Sequence, residues 1–567
     1  MGIFKGIFTK ERQEIISFWG FLLSLSLSNI YLAHTEMQPI LWLLAGVVLP
    51  ISVYAFLLTL AKNPAKPYLC LIWMLAFNAF QIVVLYLFGR SPIAVDMFLN
   101  VATTNPSESL ELLENLVLSL VFTSIFYLLC IVQAVRNIIS RWQLPQKFRM
   151  RMRKISLWGM GVGAALLAAA CISQPQLKIT NEIWPINVYY NLYTAVKRYH
   201  AQKNYPETSK NFTFNAKAGH DSGREIYVFV IGETSRAMNY SIYGYDRPTT
   251  PCLEAMSNLY VFRDALTQSN TTHKSVPMML SAVNAEAFNE ILRQKSVITA
   301  FKEAGFKTYF FSNQQRNGSF IDYFGEEADV CRFLKDDCND LSKTYDTELL
   351  KPLAEELNND TSAKKLIVLH TYGSHFNYKD RYPAEFAYFQ PDNVLAASKS
   401  NKPELINAYD NTVRFIDHIL GEVVKLLGEC HCPAAMIYAS DHGEDMFDDD
   451  REKFLHASPV PTFYQIRVPC AIWLSDEYQA ANEQKAKQMG EHINLPINTT
   501  RVIFHTLMHL ADIQSPFLDT SNALSSDNFT PKQRIYLNDH NEPCRLNEII
   551  EDQRDIRLFK QDNLQFP

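Results

Sequence analysis

The chain has 567 residues, a net charge of −6 and 48% hydrophobic residues. That is too long for one domain; the modest charge by itself rules out little, but no basic block in the polar half points to nucleic acid, so no nucleic-acid partner is expected. The hydrophobic residues are unevenly placed: nearly all the long apolar runs precede residue 175.

In chain order, five apolar runs read as membrane helices, at roughly 15–33, 39–61, 67–89, 116–135 and 155–173. Each is near the ~20 residues that cross a bilayer core, and a cleaved signal peptide would account only for the first. The basic residues set the orientation. Lys5, Lys10 and Arg12 precede the first helix, Lys62 and Lys66 follow the second, and Arg136, Arg141, Lys147, Arg149, Arg151, Arg153 and Lys154 follow the fourth. The loop after the first helix has no Lys or Arg; the loop after the third has only Arg90, among Asp96, Glu108, Glu111 and Glu114. Basic loops stay in the cytoplasm. The expected arrangement is therefore a multi-pass bacterial inner-membrane protein whose chain beyond the fifth helix lies in the periplasm.

Residues 175–222 are polar and aromatic, with Trp184, Tyr189, Tyr190 and Tyr193, side chains that favour a membrane interface. They read as a tether along the membrane surface. From residue 223, apolar strands alternate with helical patterns, as in 308–311 after a helix over 295–304, and 470–474. The expected fold is thus α/β: a five-helix transmembrane domain (1–174), the tether (175–222) and a periplasmic catalytic domain (223–567) with a mostly parallel sheet flanked by helices. Seven cysteines fall in the exported part, where an oxidising compartment permits disulfides. Cys331 and Cys338, close in sequence and flanked by charged residues, are the expected bridge. Cys430-His431-Cys432 lacks a partner pair for a metal site and reads as two strand-edge cysteines.

Chemistry concentrates at strand ends. Ala434–Ala439 runs into Ser440-Asp441-His442-Gly443-Glu444, Tyr227–Ile231 into Gly232-Glu233-Thr234-Ser235-Arg236, and Leu366–Leu369 into His370 and then His375. Carboxylate oxygens and imidazole nitrogens in such numbers suit zinc, usually four-coordinate, and open parallel sheets bind ligands at the carboxyl ends of their strands. A nucleophile is supplied by Ser269-Asn270-Thr271-Thr272-His273, ahead of a helical run. A hydroxyl at a helix N-terminus sits in positive potential, which favours an alkoxide and a bound phosphate. The residues alone leave two readings open there, a nucleophile or a simple helix cap.

These motifs, together with Asn239-Tyr240-Ser241 through Thr249-Thr250-Pro251, Pro277 five residues after Thr272, and His456, resemble those of the lipid A and lipooligosaccharide phosphoethanolamine transferases. Those enzymes belong to the alkaline phosphatase superfamily and are related to the mobilised colistin-resistance enzymes. Asp96 to Leu113 also resembles their first large periplasmic loop. The resemblance implies that Glu233, Thr272, Asp441 and His442 hold one tight zinc, and that Thr272 carries phosphoethanolamine between half-reactions. His375 and His456 would bind the transferred phosphate or a second, weaker zinc, with His370 at the same rim and Asn313 and Gln314 on the donor head group. It implies phosphatidylethanolamine as donor, a lipopolysaccharide or lipooligosaccharide acceptor in the membrane, and a monomer. One departure stands out: many relatives carry cysteines four residues before and six after the nucleophile, and here those positions are Gln268 and Met278. The alternative is a phosphoglycerol transferase or a related membrane-anchored phosphodiesterase or sulfatase-like hydrolase. Sulfatases share the fold, but their Cys/Ser-x-Pro-x-Arg motif fails here, where Ser275-Val276-Pro277 is followed by Met279 in the arginine position.

Overall fold

A computed structural model of the chain describes residues 10–566, apart from 36–37, 89–91, 104–105, 220–222, 337–343, 360–362 and 395–396. Two compact units divide it. One comprises the residues up to Leu99 together with Leu112–Lys197, the other Asn100–Glu111 and Arg198 onward.

The first unit is helical. Its long elements are α1 (Lys10–Thr35), α2 (Ile40–Leu58), α3 (Ile72–Phe88), α4 (Pro106–Ile139), α5 (Gln146–Ser173) and α6 (Ile186–Lys203), of which α4 and α6 cross the unit boundary. Among the described residues, α1, α2, the Leu120–Ile139 part of α4, and α5 are long and apolar enough to span a membrane. The third expected span is shorter: a turn at Leu71 separates Ala65–Cys70 from α3, whose 17 residues fall below the ~20 of a full crossing. Side-chain bonds tie the helices where no hydrophobic driving force can. Asn29 Nδ2 donates to the Gly46 carbonyl at 2.9 Å, and Trp184 Nε1 to Asn78 Oδ1 at 3.1 Å. On α5, Gly163 comes so close to α2 that a Cβ there would sit 2.8 Å from the Leu49 backbone. The tether region is mostly helix, chiefly α6.

The second unit is built on a seven-stranded sheet. Its strands are β1 (Ile226–Gly232), β2 (Leu259–Val261), β3 (Lys307–Ser312), β4 (Val330–Phe333), β5 (Lys365–His370), β6 (Ala434–Ser440) and β7 (Cys470–Leu474), in the order β2-β7-β6-β1-β5-β3-β4. The five from β6 to β4 run parallel; β7 is antiparallel to both β6 and β2. Just after β2, a two-residue strand at Ala265–Leu266 pairs elsewhere, with Ile497–Asn498.

Every residue of β1 is buried, as an unbroken apolar run in a central parallel strand requires. Because successive side chains point to opposite faces, Tyr227, Phe229 and Ile231 join a core with Phe301, Val502 and Phe504, while Ile226, Val228 and Val230 join another with Tyr409, Ile416 and Leu420. The first core is covered by α7 (Thr272–Leu280) and α9 (Thr499–Leu510), the second by α8 (Lys402–Gly428). With helices on both faces, the ends of β1, β5 and β6 are left as the place where polar side chains gather.

Candidate active site

The ends of β1 and β6 are locked together. Gly232 pairs with Ser440, and a Cβ on Gly232 would lie 2.8 Å from the Tyr438 ring, so only a bare backbone lets the strands close. The Asp441 amide donates to the Gly232 carbonyl at 3.1 Å, and Ser440 Oγ accepts from the Ser235 amide at 2.9 Å. The loop after β5 completes the frame. The Ser374 amide donates to the Glu233 carbonyl at 3.0 Å, and Gly373 takes φ +51° where a Cβ would meet that same carbonyl at 2.7 Å. Thr234 is held at φ +56°, its carbonyl accepting Tyr409 Oη of α8 at 2.8 Å.

This frame aims Glu233, Asp441 and His442 at one point. One ligand atom from each lies within 4.8 Å of the others, and all three residues are buried. His442 Nε2 is 3.1 Å from Asp441 Oδ2 and 3.6 Å from Glu233 Oε1. Thr272 Oγ1 stands 3.0 Å from His442 Nε2 and 3.2 Å from Glu233 Oε1. His442 Nδ1 lies 3.0 Å from the Gly443 carbonyl, which fixes the tautomer and leaves the Nε2 lone pair facing the cluster.

The electrostatics point to a cation. Burial, then the Asp441 charge, pushes the Glu233 carboxyl well above its ordinary range. Burial also lifts Asp441 to about 6, against the pull of the Thr234 and His442 amides. Removal from water keeps His442 neutral by driving its pKa far down. Asp441 Oδ2 is buried without a hydrogen-bond partner. An anionic oxygen so placed is costly unless paired. Two carboxylates, a neutral imidazole nitrogen and a hydroxyl are the four donors a tetrahedral zinc site takes, so these residues fit the metal.

Thr272 is the first residue of α7 and is half-buried. Thr271 occupies the cap position, but its hydroxyl meets Ser269 Oγ at 3.1 Å and caps no amide. The loop before Thr272 is firmly held although it carries no cysteine at 268. Gln268, fully buried, donates from Nε2 to the Ile535 carbonyl at 3.1 Å; its Oε1 accepts from Thr500 Oγ1 at 3.0 Å and the Ala285 amide at 3.4 Å; its carbonyl takes the Leu537 amide at 2.8 Å. Asn270 adds bonds to Gln465 Oε1 at 2.6 Å, the Ser458 carbonyl at 2.8 Å and Tyr536 Oη at 2.8 Å. Hydrogen bonds to four distant segments thus take the place of a covalent staple.

The rim residues are held differently. His375 and His456 are partly exposed. The His456 ring centroid lies 4.1 Å from that of His442 and 6.5 Å from that of His375. His456 Nδ1 faces Glu444 Oε2 at 3.3 Å, and His375 Nδ1 faces the Phe376 carbonyl at 2.6 Å, leaving each Nε2 as the available atom. His375 is driven down to about 3 by desolvation and then by the Arg381 cation. Tyr372 stacks on His375 at 5.2 Å and carries Lys335 and Arg381 over its ring at 3.3 and 4.1 Å.

Gln314 reaches the cluster directly, donating to Glu233 Oε2 at 3.1 Å. Asn313 turns inward, donating to Asp346 Oδ1 at 2.8 Å and the Thr344 carbonyl at 3.1 Å. Asp346 in turn takes the Tyr372 and Gly373 amides, so Asn313 supports the loop that carries His375. His370 is buried at the end of β5, with Nδ1 3.0 Å from Ser312 Oγ and its ring beside Phe310. Cys331 is half-buried; its expected partner Cys338 lies outside the described residues, as do Lys5, Arg90 and Thr104-Asn105.

Two supports escaped sequence reasoning. Glu444 is buried between His456 and Tyr378, whose hydroxyl it accepts. Arg236 lies between the Tyr409 and Tyr464 rings and pairs with Asp448 at 2.8 Å. Both sit inside strand-end motifs, and their charge within those motifs was the available signal.

Comparison with known proteins decides the family: residues 225–513 match the Sulfatase family. The chain belongs to the sulfatase family. It is 29% identical over 343 residues to phosphoethanolamine transferase EptC of Escherichia coli, covering 58% of each chain, and 25% identical over 523 residues to EptA of the same organism, covering 88% of this chain and 90% of that one. The match to EptC thus spans little more than half of that relative's length. Among solved structures, the zinc complex of the periplasmic domain of Escherichia coli EptC covers 60% of this chain and 98% of its own, at TM-score 0.54 and 27% identity. The integral membrane protein EptA of Neisseria meningitidis superposes over 90% of this chain and 97% of its own, at TM-score 0.70 and 20% identity, a likeness of fold across both units.

Proposed function

We propose that this chain is a zinc-dependent phosphoethanolamine transferase that moves the group from phosphatidylethanolamine to a lipopolysaccharide acceptor, either a lipid A phosphate or a core sugar. The observation that carries the reading is Thr272: a half-exposed hydroxyl on the first residue of a helix, 3.0 Å from the neutral His442 and 3.2 Å from the Glu233 carboxylate. The names of the relatives supply the transferred group.

Glu233, Asp441, His442 and Thr272 would hold one tight zinc, whose chemistry is to neutralise phosphoryl oxygens and favour an ionised hydroxyl. In the first half-reaction Thr272 loses its proton, Oγ1 bonds to phosphorus, and the bond from phosphorus to the glycerol oxygen breaks. The departing alkoxide takes a proton and leaves as diacylglycerol. In the second, an acceptor oxygen attacks the same phosphorus and the Thr272 hydroxyl is regenerated. Splitting the transfer through a covalent intermediate lets one site serve both lipids in turn. His375 and His456 hold the non-bridging oxygens, or a second and weaker zinc, and the Lys335 and Arg381 cations on Tyr372 add positive potential at the mouth. The membrane helices bring the enzyme to a surface where donor and acceptor are both embedded, which raises their effective concentration.

A sulfatase reading finds no support at Ser275, which is fully buried and donates to the Ser269 carbonyl, nor at the buried Met279. The test is mass spectrometry of envelope glycolipids from cells expressing the chain or its Thr272→Ala variant. The expected result is phosphoethanolamine on a glycolipid only with the native chain. A transferred group without an amine would make the chain a phosphoglycerol transferase, and identical glycolipids in both strains would remove the transferase reading. If lipid A is the acceptor, each added ammonium offsets anionic surface charge, and survival against polymyxin-type peptides should rise.

A further inference from the structure

The first turns of α5 carry a feature that the transfer chemistry does not use. Lys147, Arg151, Lys154 and Trp158 are spaced four, three and four residues apart, so they line one face of the helix. Met150 and Ile155 flank that line. All six side chains are exposed, Trp158 to 79%, and together they line a groove of about 550 Å³. The opposite face of the helix is spent on packing, through buried Met152 and Ser156 and through Gly159 and Gly163 against Ser52 and Leu49. The neighbouring Arg153 is spent as well, donating to the Thr59 carbonyl at 2.7 Å. Among the described residues, no acid or carbonyl partners Lys147, Arg151 or Lys154. This end of α5 is the end that the charge pattern places in the cytoplasm.

We propose that this groove binds one anionic phospholipid of the cytoplasmic leaflet, with its phosphate on Lys147, Arg151 and Lys154 and an acyl chain along Ile155 and Trp158. Two observations choose a lipid over a soluble anion. The cations and the apolar residues share one stripe, running ~16 Å along the axis at 1.5 Å per residue, which matches a phosphate with the start of its hydrocarbon below it. The stripe ends on Trp158, an exposed ring whose apolar body suits the start of an acyl chain just below the headgroup. Charge complementarity selects an anionic lipid over a zwitterionic one, because three unpartnered cations face it and each is worth roughly fivefold in affinity near a membrane surface.

The test uses the full chain in detergent, titrated with phosphatidylglycerol and, separately, phosphatidylcholine, with bound lipid counted by native mass spectrometry. The native chain is expected to prefer phosphatidylglycerol by on the order of a hundredfold. Lys147→Gln/Arg151→Gln/Lys154→Gln should abolish the preference. Each single variant should lose roughly fivefold, which keeps the proposal testable if the triple variant does not fold. Lys62→Gln/Lys66→Gln/Arg141→Gln removes three exposed cations of the same end outside the groove and should leave the preference intact. Equal binding of both lipids, equal loss in the two triple variants, or displacement of the bound lipid by glycerol phosphate would each overturn the proposal.

Discussion

Glu233, Asp441 and His442 sit on the ends of two adjacent parallel strands, fully buried and braced by backbone bonds between those strands. His375 and His456, a few ångströms further out, sit on loops, partly exposed, each turned by a contact at Nδ1 and by one neighbouring ring. The same residue type is thus placed in two regimes. The inner set is pre-formed and dry, which suits a resident ion that must not leave between turnovers. The outer pair is open and adjustable, which suits a phosphoryl group that arrives on one lipid and leaves on another.

The sharpest way to break this contrast is to remove one member of each set. Thr272→Ala should lower transfer by on the order of 10⁴ or more, as loss of a nucleophile does, with the fold and much of the zinc retained, since three ligands remain. Asp441→Ala should be equally inactive but should lose the metal, read as zinc per protein after dialysis against a weak chelator. Full zinc in Asp441→Ala would mean that the inner set is not the metal site. His375→Ala should keep about one zinc and lose roughly 10²–10³ in rate, the scale of one lost charge-stabilising contact. Zinc loss comparable to that of Asp441→Ala would merge the two sets into one.

Titration sharpens the comparison. Burial holds Asp441 at about 6 in the folded chain, above its ordinary 3.8. A raised carboxyl contributes stability that is complete below the unfolded value and is lost as the pH rises through the folded one. Metal-free protein should therefore gain stability from this group between about pH 7 and about pH 5. Zinc requires the carboxylate, so zinc affinity should fall over the same interval. Melting curves with and without zinc at both ends of that range should diverge, and Asp441→Asn should flatten both trends. Parallel curves would show that the carboxylate does not meet the metal.

The smallest expected effect lies in the loop behind Thr272. Gln268→Ala strips buried partners from Thr500, Ala285 and Ile535, which should cost about 2 kcal/mol of stability. It should also slow transfer by about tenfold with little change in KM, because the loop shift displaces Thr272. Gln268→Glu, which keeps the acceptor oxygen but sets a buried carboxylate against the Ile535 carbonyl, should recover neither. An unchanged rate in Gln268→Ala would mean that Asn270 and the rest of the frame suffice.

Much of this site was legible in the sequence because its candidate ligands ride on strand ends. The apolar runs announce β1, β5 and β6, and Glu233, Asp441 and His442 follow them directly. The supports were not legible, because their partners come from far along the chain. Nothing near Gln268 announces Thr500 or Ile535, and nothing near Glu444 announces Tyr378. Asn313 and Gln314 show the limit at single-residue scale: neighbours in sequence, one is turned into the protein toward Asp346 and the other toward Glu233. In the membrane unit, hydropathy reads 67–89 as one span because no charged residue interrupts the run on either side of the turn at Leu71 until Arg90. An apolar average carries no signal of a local break in the backbone.

The central claim is that Thr272 carries the transferred group. Rapid acid quench of the native full chain with excess phosphatidylethanolamine and no acceptor, followed by peptide mass spectrometry, tests it directly. The expected result is the mass of one phosphoethanolamine on the peptide containing Thr272, with fragmentation placing it on that residue, and no adduct in His442→Ala. An adduct on Thr271, Thr234 or Ser235, or none while diacylglycerol is still released, would contradict it.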